Sequence, residues 1–168
     1  MSALVSIPVG VVVERSKSAS QWADFYWRPI GVLIGAPDTA PWTKLSDDGE
    51  RATFYVGAAE LALHRAETSN YRDNLALEAS LLWVIMQPVE GDPPLKLVAV
   101  TADPSEGEAM TEAGVNMVEA VPMPAPMQAV IAGFVAEHHV EQEFVKRKRE
   151  RADPEALGRR GPGREDRK

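Results

Sequence analysis

Six consecutive apolar residues, Leu81-Leu82-Trp83-Val84-Ile85-Met86, stand between a polar loop and Pro88. A run this short and this continuous, bounded on both sides, reads as a central β-strand buried on both faces. Gly91-Asp92-Pro93-Pro94 imposes a turn, and Leu95 to Thr101 returns as the partner strand. Leu95, Leu97 and Ala99 face one way along it, and Lys96, Val98 and Val100 the other. This hairpin is the best-defined element of the chain, and the rest must supply layers that cover it.

The N-terminal segment supplies strands. Val5, Ile7, Val9, Val11 and Val13 alternate as a strand does, with Pro8 marking an edge or a strand start. It lacks a basic residue ahead of its apolar run, which favours a strand over a signal segment. Arg15 to Ser20 reads as a polar loop. Next comes the most aromatic patch, Trp22, Phe25, Tyr26 and Trp27, followed by Arg28-Pro29 and by a strand from Ile30 to Ile34. Gly31 inside that strand points to a bulge or a close backbone approach. Trp42 to Val56 reads as a hairpin around Ser46-Asp47-Asp48-Gly49, Ala59 to Arg65 as a strand or a short helix, and Asn70 to Leu77 as a helical turn or loop.

Helices come late. Asp103-Pro104 opens a short one with acid in its first half, and Gly114 closes it. Met127, Val130, Ile131, Phe134, Val135 and His138 then fall on one face of a helix that begins at Pro124. The expected fold class is therefore α+β, mainly β. A curved antiparallel sheet or small barrel of six to seven short strands is covered by a C-terminal helix packed on it. With 168 residues and 45% hydrophobic content the chain suffices for one cored domain, placed at residues 1–144. Residues 145–168 are expected to be a disordered basic tail, too polar to offset their ordering entropy.

Charge divides at the same place. Residues 1–143 carry 8 Lys+Arg against 20 Asp+Glu, net −12, whereas residues 144–168 carry 10 against 5, net +5. An acidic body argues against nucleic-acid binding by the folded part. The basic run Lys146, Arg147, Lys148, Arg149 and Arg151 is the candidate partner-binding segment, for an acidic protein, RNA, an anionic lipid surface or the chain's own body. The absence of cysteine excludes disulfides, thiolate metal sites and thiol nucleophiles, and is compatible with a cytoplasmic location. No apolar run reaches the roughly 20 residues of a membrane span.

Little in the chain points to a reaction. No GxSxG elbow and neither common glycine-rich phosphate loop occurs. His138 and His139, flanked by Glu137 and Glu141, are the metal candidates, but neighbouring helical side chains point about 100° apart. His138 continues the apolar stripe, so packing at the helix end is the stronger reading. Candidates for a cofactor or ring-shaped ligand are Trp22, Trp27 and Arg28, with His64 and Arg65. Against them stand a core or interface role for the rings and a polar strand end for the His-Arg pair.

Several stretches together resemble a proteobacterial family known as a domain of unknown function. They include Ile7 to Arg15, Trp27-Arg28-Pro29, Leu63 to Thr68, Tyr71 to Leu75, Val100 to Pro104, Phe134 to Glu141 and Lys146 to Arg149. Genes of that family tend to lie beside those of molybdenum-dependent formate dehydrogenase. The resemblance implies a non-enzymatic accessory or assembly protein for maturation of that dehydrogenase, with a dehydrogenase subunit or maturation factor as partner. The alternative it implies is a protein that binds molybdopterin or a guanine nucleotide in molybdenum cofactor biosynthesis. The first strand runs into Glu14-Arg15-Ser16-Lys17 without the glycine-rich loop that a guanylyl transferase of that pathway carries. No catalytic residue is implied.

Overall fold

A computed structural model describes residues 4–19 and 24–140. Its elements are β1 (Val5–Lys17), β2 (Phe25–Ile34), β3 (Thr43–Asp47), β4 (Arg51–Leu63), α1 (Thr68–Leu75), β5 (Leu81–Pro88), β6 (Leu95–Thr101), α2 (Pro104–Glu112), β7 (Met117–Pro122) and α3 (Ala125–His138). A single 3₁₀ turn at Arg65–Glu67 joins β4 to α1. The mainly-β, α+β character, the seven antiparallel strands and the C-terminal helix agree with the sequence expectation. The strands form two open sheets, ordered β2-β1-β4-β3 and β6-β5-β7, and neither closes into a barrel. They are also less uniformly short than expected, β1 and β4 having 13 residues each. The basic tail, with Lys146, Arg147, Lys148, Arg149 and Arg151, lies outside the described residues.

β1 is the spine of the larger sheet. Val9, Val11 and Val13 on one face have no exposed surface, and with Leu61 and Leu63 of β4 they line the core from the larger sheet. Leu82, Val84 and Met86 of β5 line it from the smaller sheet, as the unbroken apolar run predicts for a central strand. Pro8 stands in this central strand rather than on an edge. Its carbonyl accepts from Gly35 N–H, so its donorless nitrogen points to the side where β2 has just ended. The polar stretch from Arg15 to Lys17 also belongs to β1, because β2 and β4 ladder it from both sides. The irregularity expected at Gly31 is real: Val12 pairs with Gly31 but Val13 with Pro29, leaving Ile30 as the extra residue.

The remaining layers are thin. Gly107 of α2 crosses the indole of Trp83 so closely that a β-carbon there would lie 2.6 Å from the ring. α3 packs chiefly on α1, with Phe134 edge-on to Tyr71 at 6.1 Å. A helix docked on another helix buries a narrower stripe than one laid on a sheet. Met127, Ile131 and Phe134 are buried, whereas Val130, expected on the packed face, is 46% exposed. The outer face of the larger sheet has a small core of its own, where Gly10 leaves room for the buried ring of Tyr55 beneath Pro37.

Candidate functional site

The two ends of the long sheet differ in chemistry. At the end formed by the close of β1 and the start of β2, the fully buried stripe stops at Val13, and the next residue on that face is Arg15. Cross-strand pairing sets Arg15 opposite Trp27, Lys17 opposite Phe25, Val13 opposite Phe54 and Lys44 opposite Phe54. One face therefore collects three cations and three rings. The Arg15 guanidinium lies 4.4 Å from the Phe25 centroid, 5.2 Å from Phe54 and 5.8 Å from Trp27, within cation–π range of each. Trp42 closes the group, edge-on to Trp27 at 5.8 Å and tilted to Phe54 at 6.2 Å.

Trp42 reaches that place at a backbone cost. It follows Pro41 in the turn closed by Thr43 N–H on the Ala40 carbonyl, and it holds φ +66° where glycine is usual. A left-handed non-glycine residue costs of order 1–2 kcal/mol, so packing of its ring must offset that strain. The rings are only half-buried, and Phe25 is 41% exposed. The result is an aromatic shelf bearing cations and open to solvent.

The opposite end is closed and polar. Tyr71, 1% exposed, accepts the His64 N–H on its hydroxyl at 3.0 Å. Burial raises its pKa above the usual phenol value of 10.0, the His64 N–H pulling the other way and the charge of Asp103 adding to the rise. Asn74, also 1% exposed, gives its amide to the carbonyls of Leu81 and Ala102 and accepts from Leu81 N–H, tying α1 to β5 and to the end of β6. Asp103 caps α2 through Ser105 N–H, as the Asp-Pro signal predicts. Thr101 accepts from Asp103 N–H and donates to Glu106.

Glu67 sits beside Asp103. Burial, then the Asp103 charge and a hydrogen bond with that carboxyl, raise the Glu67 pKa above its ordinary 4.5, against the pull of Asn70. Among the described residues no group of three or more acidic or histidine side chains is placed to hold a metal ion. These groups satisfy one another, and no buried side-chain polar atom among the described residues lacks a partner.

The residues singled out from the sequence fall on both ends. Trp27 belongs to the shelf. Arg28, next in the strand, projects from the other face, 4.0 Å from Glu14. His64 and Arg65 lie past the far end of β4. From Ala52, opposite Arg15, to Leu63 is roughly 35 Å of extended strand. Trp27 and Arg28 therefore share no surface with His64 and Arg65, and Trp22 is outside the described residues.

His138 and His139 also diverge. His138 packs against Phe134, the rings tilted with centroids 4.7 Å apart, as its place in the stripe suggests. His139 turns to α1, its Nε2 accepting from Arg72 at 3.1 Å. Because arginine only donates, the ring hydrogen belongs on Nδ1, which donates to Thr68 Oγ1 at 3.0 Å. Arg15, Phe54 and Trp42 were not singled out from the sequence as site residues. Continuing the alternation of Val9, Val11 and Val13 by one step would have placed Arg15 on this face.

Fold and surface together define a two-sheet α+β domain with one closed polar end and one open aromatic end. The chain belongs to the family described as protein of unknown function DUF3305, whose model matches residues 8–148. No curated protein and no solved structure matches it.

Proposed function

We propose that this protein is a non-enzymatic accessory protein that works through protein–protein contacts. The observation that carries the reading is the aromatic shelf. Half-exposed tryptophan and phenylalanine rings, with arginine among them, have the composition of interface anchors. The strained backbone at Trp42 adds support, because it holds a large ring at a partly exposed position.

The partner suggested by the family resemblance is a molybdenum-dependent formate dehydrogenase subunit or one of its maturation factors, met in the cytoplasm. The basic run Lys146 to Arg151 supplies a second contact on an acidic surface of that partner. A site for molybdopterin or a guanine nucleotide has weaker support, because Trp27 and Arg28 face opposite ways and His64 and Arg65 lie at the far end. The test is affinity capture of the tagged full chain from its native host. Recovery of dehydrogenase subunits or maturation factors is expected, and a capture that contains neither counts against the proposal.

A further inference from the structure

The proposed function leaves open what kind of partner surface the shelf accepts, and Arg15 narrows it. Two other cations of this sheet have acid partners: Arg28 has Glu14 at 4.0 Å and Lys44 has Asp47 at 2.8 Å. Arg15 has rings instead. Phe25, Phe54 and Trp27 surround its guanidinium at 4.4–5.8 Å and offer π faces but no lone pair in the plane of its N–H groups. Among the described residues no carboxylate lies within ion-pair distance of Arg15 and no acceptor bonds its N–H groups. A planar guanidinium held on rings, with its fork of donors unspent, is preorganised for a two-oxygen anion.

We propose that Arg15 and its ring platform anchor a carboxylate side chain flanked by apolar residues on a peptide segment of the partner. This rests on the reading of the body as a contact module and adds the chemistry of the contact. The apolar flanks find Phe25, Trp27 and Trp42. Peptide fits better than nucleic acid, because the β3–β4 turn beside the shelf carries Asp47, Asp48 and Glu50. Asp47 stands in the same cross-strand row as Arg15, across Ala52, so this end has room for one carboxylate on the guanidinium and repels a run of phosphates. Pairing of the occupant with a sheet edge is not required. Pro29 and the bulge at Ile30 interrupt β2, and β3 has only five residues.

The test begins with random peptides displayed on phage and selected against the full chain, and measures binders by fluorescence anisotropy. Peptides with Asp or Glu between apolar residues are expected. Replacing that acid by its amide and making the Arg15→Gln protein should each weaken binding by about tenfold, and the two together by no more than either alone. Arg15→Lys should restore only part of the loss, since it keeps the charge but not the planar fork. An unchanged two-dimensional NMR spectrum away from the shelf verifies that both variants fold. The proposal is overturned if selection yields basic peptides or no binders, if the amide peptides bind as well as the acids, or if a 12-nucleotide oligo(U) binds in an Arg15-dependent way. Capture from the native host separates the two levels: dehydrogenase recovered equally by wild type and Arg15→Gln sinks the shelf assignment and leaves the accessory role standing.

Discussion

The two ends of the larger sheet both combine polar groups with rings and use them in opposite ways. At the α1 end, Tyr71 and Asn74 are buried and every polar atom has a partner on another element. At the β1–β2 end, the rings are half-exposed and the guanidinium among them keeps its donors unused. A saturated buried network has no capacity left for a ligand and serves to lock elements together. An unsaturated, half-exposed one contributes little to folding and can be completed by something else. Buried, fully hydrogen-bonded polar residues therefore mark the structural end here, and half-exposed rings the end suited to contact.

The comparison breaks most readily at Asn74. Asn74→Leu removes three hydrogen bonds and strands the Leu81 and Ala102 backbone groups in the interior. A loss of about 3 kcal/mol or more in urea unfolding is expected. A loss under about 1 kcal/mol would mean that the closed end is not a lock.

Gly107→Ala comes next. Its β-carbon would stand 2.6–2.7 Å from the Trp83 ring, so α2 must shift or the indole must turn. Destabilisation of about 1–3 kcal/mol should accompany a changed Trp83 emission. Wild-type stability would show that α2 is held loosely.

Glu67→Gln sharpens the comparison through pH. The folded-state pKa of Glu67 is raised, so its contribution to stability is fully present below 4.5 and is lost as pH rises through the folded value. The wild-type urea midpoint should therefore fall relative to Glu67→Gln between pH 4 and neutrality, and the variant should be the more stable at pH 7. Parallel profiles would mean that burial and the neighbouring Asp103 do not raise the Glu67 pKa.

The smallest effect on folding is expected at Arg15. Arg15→Gln gives up cation–π contact worth about 0.5–1 kcal/mol at a half-exposed site. A loss above about 2 kcal/mol would make Arg15 a structural residue and erase the contrast between the ends.

Local chemistry was legible along the chain. The turn at Asp47-Asp48-Gly49 forms as its composition requires, with Asp47 accepting from Gly49 N–H, Asp48 accepting from Arg51 N–H and Gly49 at φ +91°. The Asp103-Pro104 start and the Gly114 stop of α2 were equally plain, Gly114 holding φ +73°. Where the reading went astray, long-range pairing decided. Arg15 to Lys17 look like a loop because they are polar, yet two neighbouring strands hold them extended. Val130 looks buried because it keeps the helical period, yet the surface opposite α3 is another helix.

The sequence by itself determined most of the strands, the turn at Asp47-Asp48-Gly49, both ends of α2 and the mainly-β class, because these follow from side-chain periodicity and from backbone preferences over a few residues. Only the tertiary structure decided how seven strands divide between two sheets, and hence which ends are closed or open. Asn74 shows why: its partners stand 7 and 28 residues away, a separation that carries no local signal. The shelf has the same origin. Arg15, Phe25, Trp27, Trp42 and Phe54 come from three strands and a turn, and only the register of β1 against β2 and β4 brings them onto one face.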